Sequence, residues 1–162
     1  RQEESAAEKQ VPRLLEAKSF SCEVGEYVVS SKDDFEKKWE EFTQGALKGL
    51  NWKNVFVAGG SVLRCLDIGA PASTDSSDVD IFLYGLSDYE AGEKIQHIYG
   101  IVSENASQKG VRVEVLRTKH AVTIIGQFPL RHIQIILRMY RSPGMLNNIN
   151  FFNVNNDHLC SI

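Results

Sequence analysis

The spacing of apolar residues divides the chain into helical and extended stretches. Phe35, Trp39, Phe42 and Ala46 recur at three- and four-residue intervals, which predicts an amphipathic helix over residues 32–48. Ser31 suits its N-cap, Asp33 and Asp34 fall in its first turn, and Gly49 is expected to end it. The aromatic stripe reads as core packing rather than a ligand box. Asn54 to Ala58 is a short apolar strand. Gly59-Gly60-Ser61 follows it directly and leads into a short helix from Val62 to about Ile68. Residues 69–77 contain Pro71, Ser73, Thr74 and Ser76 and read as a loop. Residues 78–84 form the next strand. Ala91, Ile95, Ile98, Val102 and Ala106 then place one apolar stripe on a helix over 88–107, capped by Ser87 or Asp88 and stopped by Gly110.

Beyond Gly110 the period falls to two. Val111, Val113 and Val115 alternate with Arg112, Glu114 and Leu116. Ala121 to Ile125 is a second strand, joined to the first through Thr118-Lys119-His120, and His132 to Leu137 is a third. Ser142-Pro143 predicts a short helix to about Asn147. The asparagine-rich stretch 147–157 has no clear assignment. At the other end, Glu26 to Val29 reads as a short strand in an N-terminal extension over residues 1–30. The elements together predict an α/β (α+β) domain over 31–162, a small mixed sheet flanked by helices.

At 162 residues the chain is long enough for one domain with its own core. The formal net charge of −3 leaves no global basic field for nucleic acid. Lys109, Arg112, Arg117, Lys119, Arg131, Arg138 and Arg141 make the C-terminal third the basic part, most simply as solvated positions. Cys22, Cys65 and Cys160 are odd in number and lack metal-ligand spacing, which fits a reducing compartment, cytoplasmic or nuclear. No stretch is long and apolar enough to span a membrane. The chain opens on arginine, so it is expected to belong to a longer protein whose other domains are candidate partners.

The chemistry concentrates in two places. Asp78 and Asp80 lie two apart on a strand, so their carboxylates share a face. The glycine pair between strand and helix lets backbone N–H groups approach a phosphate closely. Each motif alone is weak: Asp-x-Asp is commonly a solvated strand end, and Gly-Gly-Ser a tight turn. In this order they suggest a divalent metal beside a triphosphate. Hard oxygen ligands favour Mg²⁺, or Mn²⁺. Gly59, Gly60 and Ser61 are the candidate phosphate cradle, and Arg64, one helical turn on, is within reach of a phosphate. No Walker lysine motif is present, which counts against a kinase of that type.

Gly59-Gly60-Ser61-Val62-Leu63-Arg64 with Asp78-Val79-Asp80-Ile81-Phe82-Leu83 resembles the glycine-serine and paired-aspartate motifs of the DNA polymerase β-like nucleotidyltransferase superfamily. Val55 to about Ile136 covers that superfamily's minimal palm. The wider pattern is similar to uncharacterised domains of eukaryotic multidomain proteins, some joined to ankyrin repeats. The resemblance implies transfer of a nucleotidyl group from a nucleoside triphosphate to a hydroxyl acceptor, with Asp78 and Asp80 as metal ligands. It also implies a third carboxylate on a later strand. Gln134 stands at that position, and an amide lacks charge and basicity. Two readings therefore stay open, an active enzyme and a degenerate palm that binds a nucleotide or another protein domain. Glu114 and Asp157 are the acids that could substitute. His132 is expected to face away from Gln134, and the remaining histidines form no site.

Overall fold

The structure is a computed structural model that describes residues 31–67, 77–142, 151–153 and 158–160. The expected strand at 26–29, the loop at 69–76 and the helix after Pro143 lie outside these residues. Helix α1 (Lys32–Thr43) starts where Ser31 Oγ accepts from the Asp34 N–H at 3.2 Å. It ends five residues earlier than the apolar spacing suggests. Gln44 adopts a left-handed conformation (φ 52°), and the Gly45 N–H closes on the Glu40 carbonyl at 3.0 Å. Gly45 tolerates its own φ of +66° without strain, so the chain turns there and Gly49 closes a later turn. The stripe still packs as expected: Phe35, Trp39 and Phe42 are buried and stacked at 6.1 and 6.3 Å, and Ala46 is buried beyond the helix end.

Strand β1 (Val55–Ala58) is buried throughout and runs into α2 (Gly60–Leu66). Strand β2 (Val79–Tyr84) leads to α3 (Asp88–Gln108). At the start of α3, Ser87 and Glu90 form a reciprocal capping box, and this holds the Glu90 carboxyl below its usual range. Strands β3 (Val113–Arg117), β4 (Ala121–Gly126) and β5 (Ile133–Tyr140) follow, then the short β6 (Phe151–Asn153) and β7 (His158–Cys160). The sheet order is β3-β4-β5-β2-β1-β6-β7. Only the β2–β5 pair is parallel, so the sheet is mixed, as the sequence implied.

Helices flank the sheet as expected, and the three described ones pack on one of its faces. Residues of α1, α2 and α3 join Val55, Val57, Val79, Ile81, Leu83, Ile133 and Ile135 in one core on one face of the sheet. The alternate residues of β1 and β2 point the other way. There Phe56 and Ala58 pack with Phe82, Tyr84 and Tyr140. A register shift between Phe82 and Tyr84 brings Tyr140, rather than a residue two earlier, beside Tyr84. Asp80 belongs to this second face. No helix of the described residues is long and apolar enough to cross a membrane.

A candidate phosphate and metal site

Antiparallel pairing sets Ala58 opposite Asp80, one residue before the glycine turn. Gly59 has φ +90° and ψ −156°, a conformation that side chains rarely adopt. A Cβ added at Gly59 would lie 3.2 Å from Asp80 Oδ2, so the carboxylate rests against the bare face of the glycine. A Cβ at Gly60 would meet Ser77 Oγ at 3.6 Å. The two motifs, separated by some twenty residues of chain, are therefore in contact.

On its other side β2 pairs in parallel with β5, and Asp80 stands level with Gln134. Level residues of paired strands share a face. Gln134 is in turn opposite Thr123 of β4. The row Ala58, Asp80, Gln134, Thr123 thus crosses four strands on the face that carries no described helix. The expected position of Gln134 beside the paired aspartates is what the register gives.

His132 departs from expectation. Residues two apart on an extended chain share a side, and His132 precedes Gln134 by two. Its Nδ1 lies 3.8 Å from Asp78 Oδ1, so it borders the carboxylates instead of facing away. Strand parity was the signal that could have found it. Ser77 gave no such signal, because its closeness to Gly60 depends on the tertiary pairing of β1 with β2.

Glu114 occupies the same face but cannot stand in for the missing acid. It pairs with Ile125 at the far edge strand, three strand spacings from β2. At about 4.8 Å per spacing that is roughly 14 Å, far beyond a shared metal ion. Asp157 lies outside the described residues.

Burial raises the Asp80 pKa first, and the neighbouring Asp78 carboxylate raises it further. A cation at this point would offset both effects. Ser61 is fully buried, and its Oγ has no hydrogen-bond partner among the described residues. A buried hydroxyl left unpartnered costs about 1–3 kcal/mol. In this structure Ser61 faces inward, and Gly60 is the exposed member of the cradle. Arg64 lines a depression of about 230 Å³ with Gly60, Leu63 and Asp67. Asp78 and His132 line another of about 220 Å³ with Arg131 and the Phe128-Pro129-Leu130 turn. Arg64 and Asp78 thus open on different hollows, and Gly60 lines the one that holds the arginine. A larger groove, about 700 Å³, lies between α1 and the end of α3 and shares no residue with them. Among the described residues, no three His, Cys, Asp or Glu side chains converge closely enough to hold a metal by themselves.

The chain is 30% identical over 108 residues to an uncharacterised protein of Acanthamoeba polyphaga mimivirus. That alignment takes in 59% of the chain but only 23% of the viral protein's length, so the chain spans about a quarter of that relative. Residues 33–156 match the family described as Gabija anti-defense 2 family protein. The matched segment runs from the first turn of α1 past β6 and includes the glycine turn, both aspartates and Gln134. The chain belongs to the Gabija anti-defense 2 family.

Proposed function

We propose that this chain is a nucleotidyltransferase-like domain of the DNA polymerase β type, holding a nucleoside triphosphate and Mg²⁺ between its glycine turn and its paired aspartates. The contact of Asp80 with the bare face of Gly59 carries the proposal. Mg²⁺ is commonly held by one or two carboxylates, with phosphate oxygens and water completing its octahedron. Two hard carboxylates beside a phosphate cradle fit that pattern better than a closed metal site would. Asp78 and Asp80 would hold the ion, whose charge would neutralise the phosphates and whose field would relieve the repulsion between the two acids. The backbone N–H groups at Gly59 and Gly60 approach a phosphate without a side chain in the way. Arg64 would add charge from the neighbouring hollow; the Ser61 hydroxyl, which has no partner among the described residues, faces inward and would reach a phosphate only if the turn shifted.

Gln134 favours a second reading. In its place beside Asp80 a carboxylate could share the ion and take the acceptor's proton, whereas an amide offers one carbonyl dipole and no base. With Glu114 too distant, the described residues supply no replacement. A palm that binds nucleotide but transfers slowly or not at all is the form this departure supports. The family description ties its members to countering Gabija.

Mg²⁺ with a non-hydrolysable triphosphate should raise the melting temperature of the chain by a few degrees, because a ligand bound only by the native state stabilises it by mass action. The double variant Asp78→Asn, Asp80→Asn should lose that shift and keep its fold. A shift of equal size in the double variant would place the site elsewhere.

A further inference from the structure

Strand β3 is the outer edge of the sheet among the described residues, and two of the devices that blunt such an edge are missing from it. It contains no proline and no bulge, and it pairs with β4 in unbroken register from Val113 to Arg117. Val115 and Leu116 are 50% and 54% exposed. Its free hydrogen-bonding groups can be identified. The Thr118 N–H donates to the Ala121 carbonyl at 2.8 Å, so residues 118 and 121 form a hydrogen-bonded pair. Antiparallel pairing alternates, which gives residues 116 and 114 inward bonds to β4. Val113, Val115 and Arg117 therefore direct N–H and C=O groups outward.

The sequence along this edge is self-complementary. Val111-Arg112-Val113-Glu114-Val115, laid antiparallel on a second copy about Val113, sets Arg112 against Glu114 twice. The same register sets Val113 on Val113 and Val111 on Val115. A two-fold axis perpendicular to the sheet keeps each side chain on its own face in this pairing. The pairing is consistent in its hydrogen bonds. The two Val113 residues would exchange both of theirs, and the Val115 N–H would donate to Val111 of the other copy. The Val111 N–H is already held by the Ala106 carbonyl at 3.0 Å, and only its carbonyl is required. Arg112 and Glu114 are exposed, and no ion pair within the described residues engages either.

We propose that β3 is a docking edge for a second copy of this chain, joining two sheets into one continuous sheet through reciprocal Arg112–Glu114 pairs. Opposite charges facing each other across strands are favourable, and like charges unfavourable. The ribbon is short, so the interface falls below the ~1,200–2,000 Å² of stable complexes and the association depends on concentration.

Sedimentation velocity of the full chain from micromolar to near-millimolar concentration tests this. The expected result is a monomer–dimer equilibrium. Arg112→Glu alone and Glu114→Arg alone should each weaken it about tenfold or more, because each sets like charges opposite. The two together should restore it to within about threefold of the starting value. Val115→Pro removes the outward N–H and leaves the bonds to β4 in place, so it should abolish the dimer while the chain stays folded. A monomer at every concentration overturns the proposal, as does a dimer that all these variants leave intact.

Discussion

Gln134 is the residue on which the proposed chemistry turns. Its strand could have paired elsewhere in the sheet, and the amide would then have been irrelevant. Instead the β2–β5 register sets it level with Asp80. Replacing it by glutamate adds a charged hard ligand where only a dipole stood. Gln134→Glu should therefore tighten Mg²⁺ binding, read by isothermal titration with the ion alone, by about tenfold. It should also cost some stability, because a third acid joins two that already repel. Unchanged affinity would mean that the side chain does not reach the ion. His132 shows how one residue's environment escapes a linear reading. Its parity with Gln134 was available in the sequence, but its approach to Asp78 depends on which strand lies alongside. Cys65 is the opposite case. It follows Arg64 on α2 and is wholly buried, and burial pushes its thiol up to about 12 against a smaller lowering by Lys38. It is a small core residue, as its place on the helix suggested.

Among the elements, the turn from β1 into α2 is the most constrained. Gly59 combines a φ of +90° with the near approach of Asp80, two separate reasons for lacking a side chain. Gly59→Ala should destabilise the chain by about 1–3 kcal/mol, measured by urea unfolding, and should also weaken triphosphate binding. A neutral effect on both would show that the turn relaxes freely and that its shape serves nothing. Most elements were legible in the sequence. The aromatic stripe, the α3 stripe and the alternation of β3 each follow from one local period, and each element forms within a few residues of its expected span. The early end of α1 was not legible, because left-handed Gln44 followed by Gly45 overrides a stripe that continues through Ala46. The sheet order was not legible either. Local periods say which face of a strand is apolar, but they do not say which strand is its neighbour. That is why the candidate site was visible as two motifs, with Gln134 reached only through the resemblance and the approach of His132 to Asp78 missed.

In the whole molecule the sheet divides two tasks between its faces. The three described helices bury Val79, Ile81 and Leu83, while Asp80 looks the other way from the same strand. Neighbouring residues of β2 should then respond oppositely to substitution. Ile81 is fully buried in the main core, so Ile81→Ala should lower the free energy of unfolding by about 2–5 kcal/mol. Asp80 gains nothing from its ionised form, since burial and Asp78 both oppose the charge. Its folded pKa exceeds the unfolded value of about 3.9, so the stability it contributes is complete below that pH and is lost as pH rises through the folded value. Asp80→Asn should therefore match the parent near pH 3 and melt higher than it at pH 7, read by thermal unfolding at the two pH values. The same variant should lose the Mg²⁺–triphosphate shift. Gain of stability with loss of binding is the pattern of a group kept for a ligand at the expense of the fold. If Asp80→Asn instead destabilised the chain at neutral pH as Ile81→Ala does, the carboxylate would be a structural hydrogen-bond acceptor and the face without a described helix would lose its claim to the site.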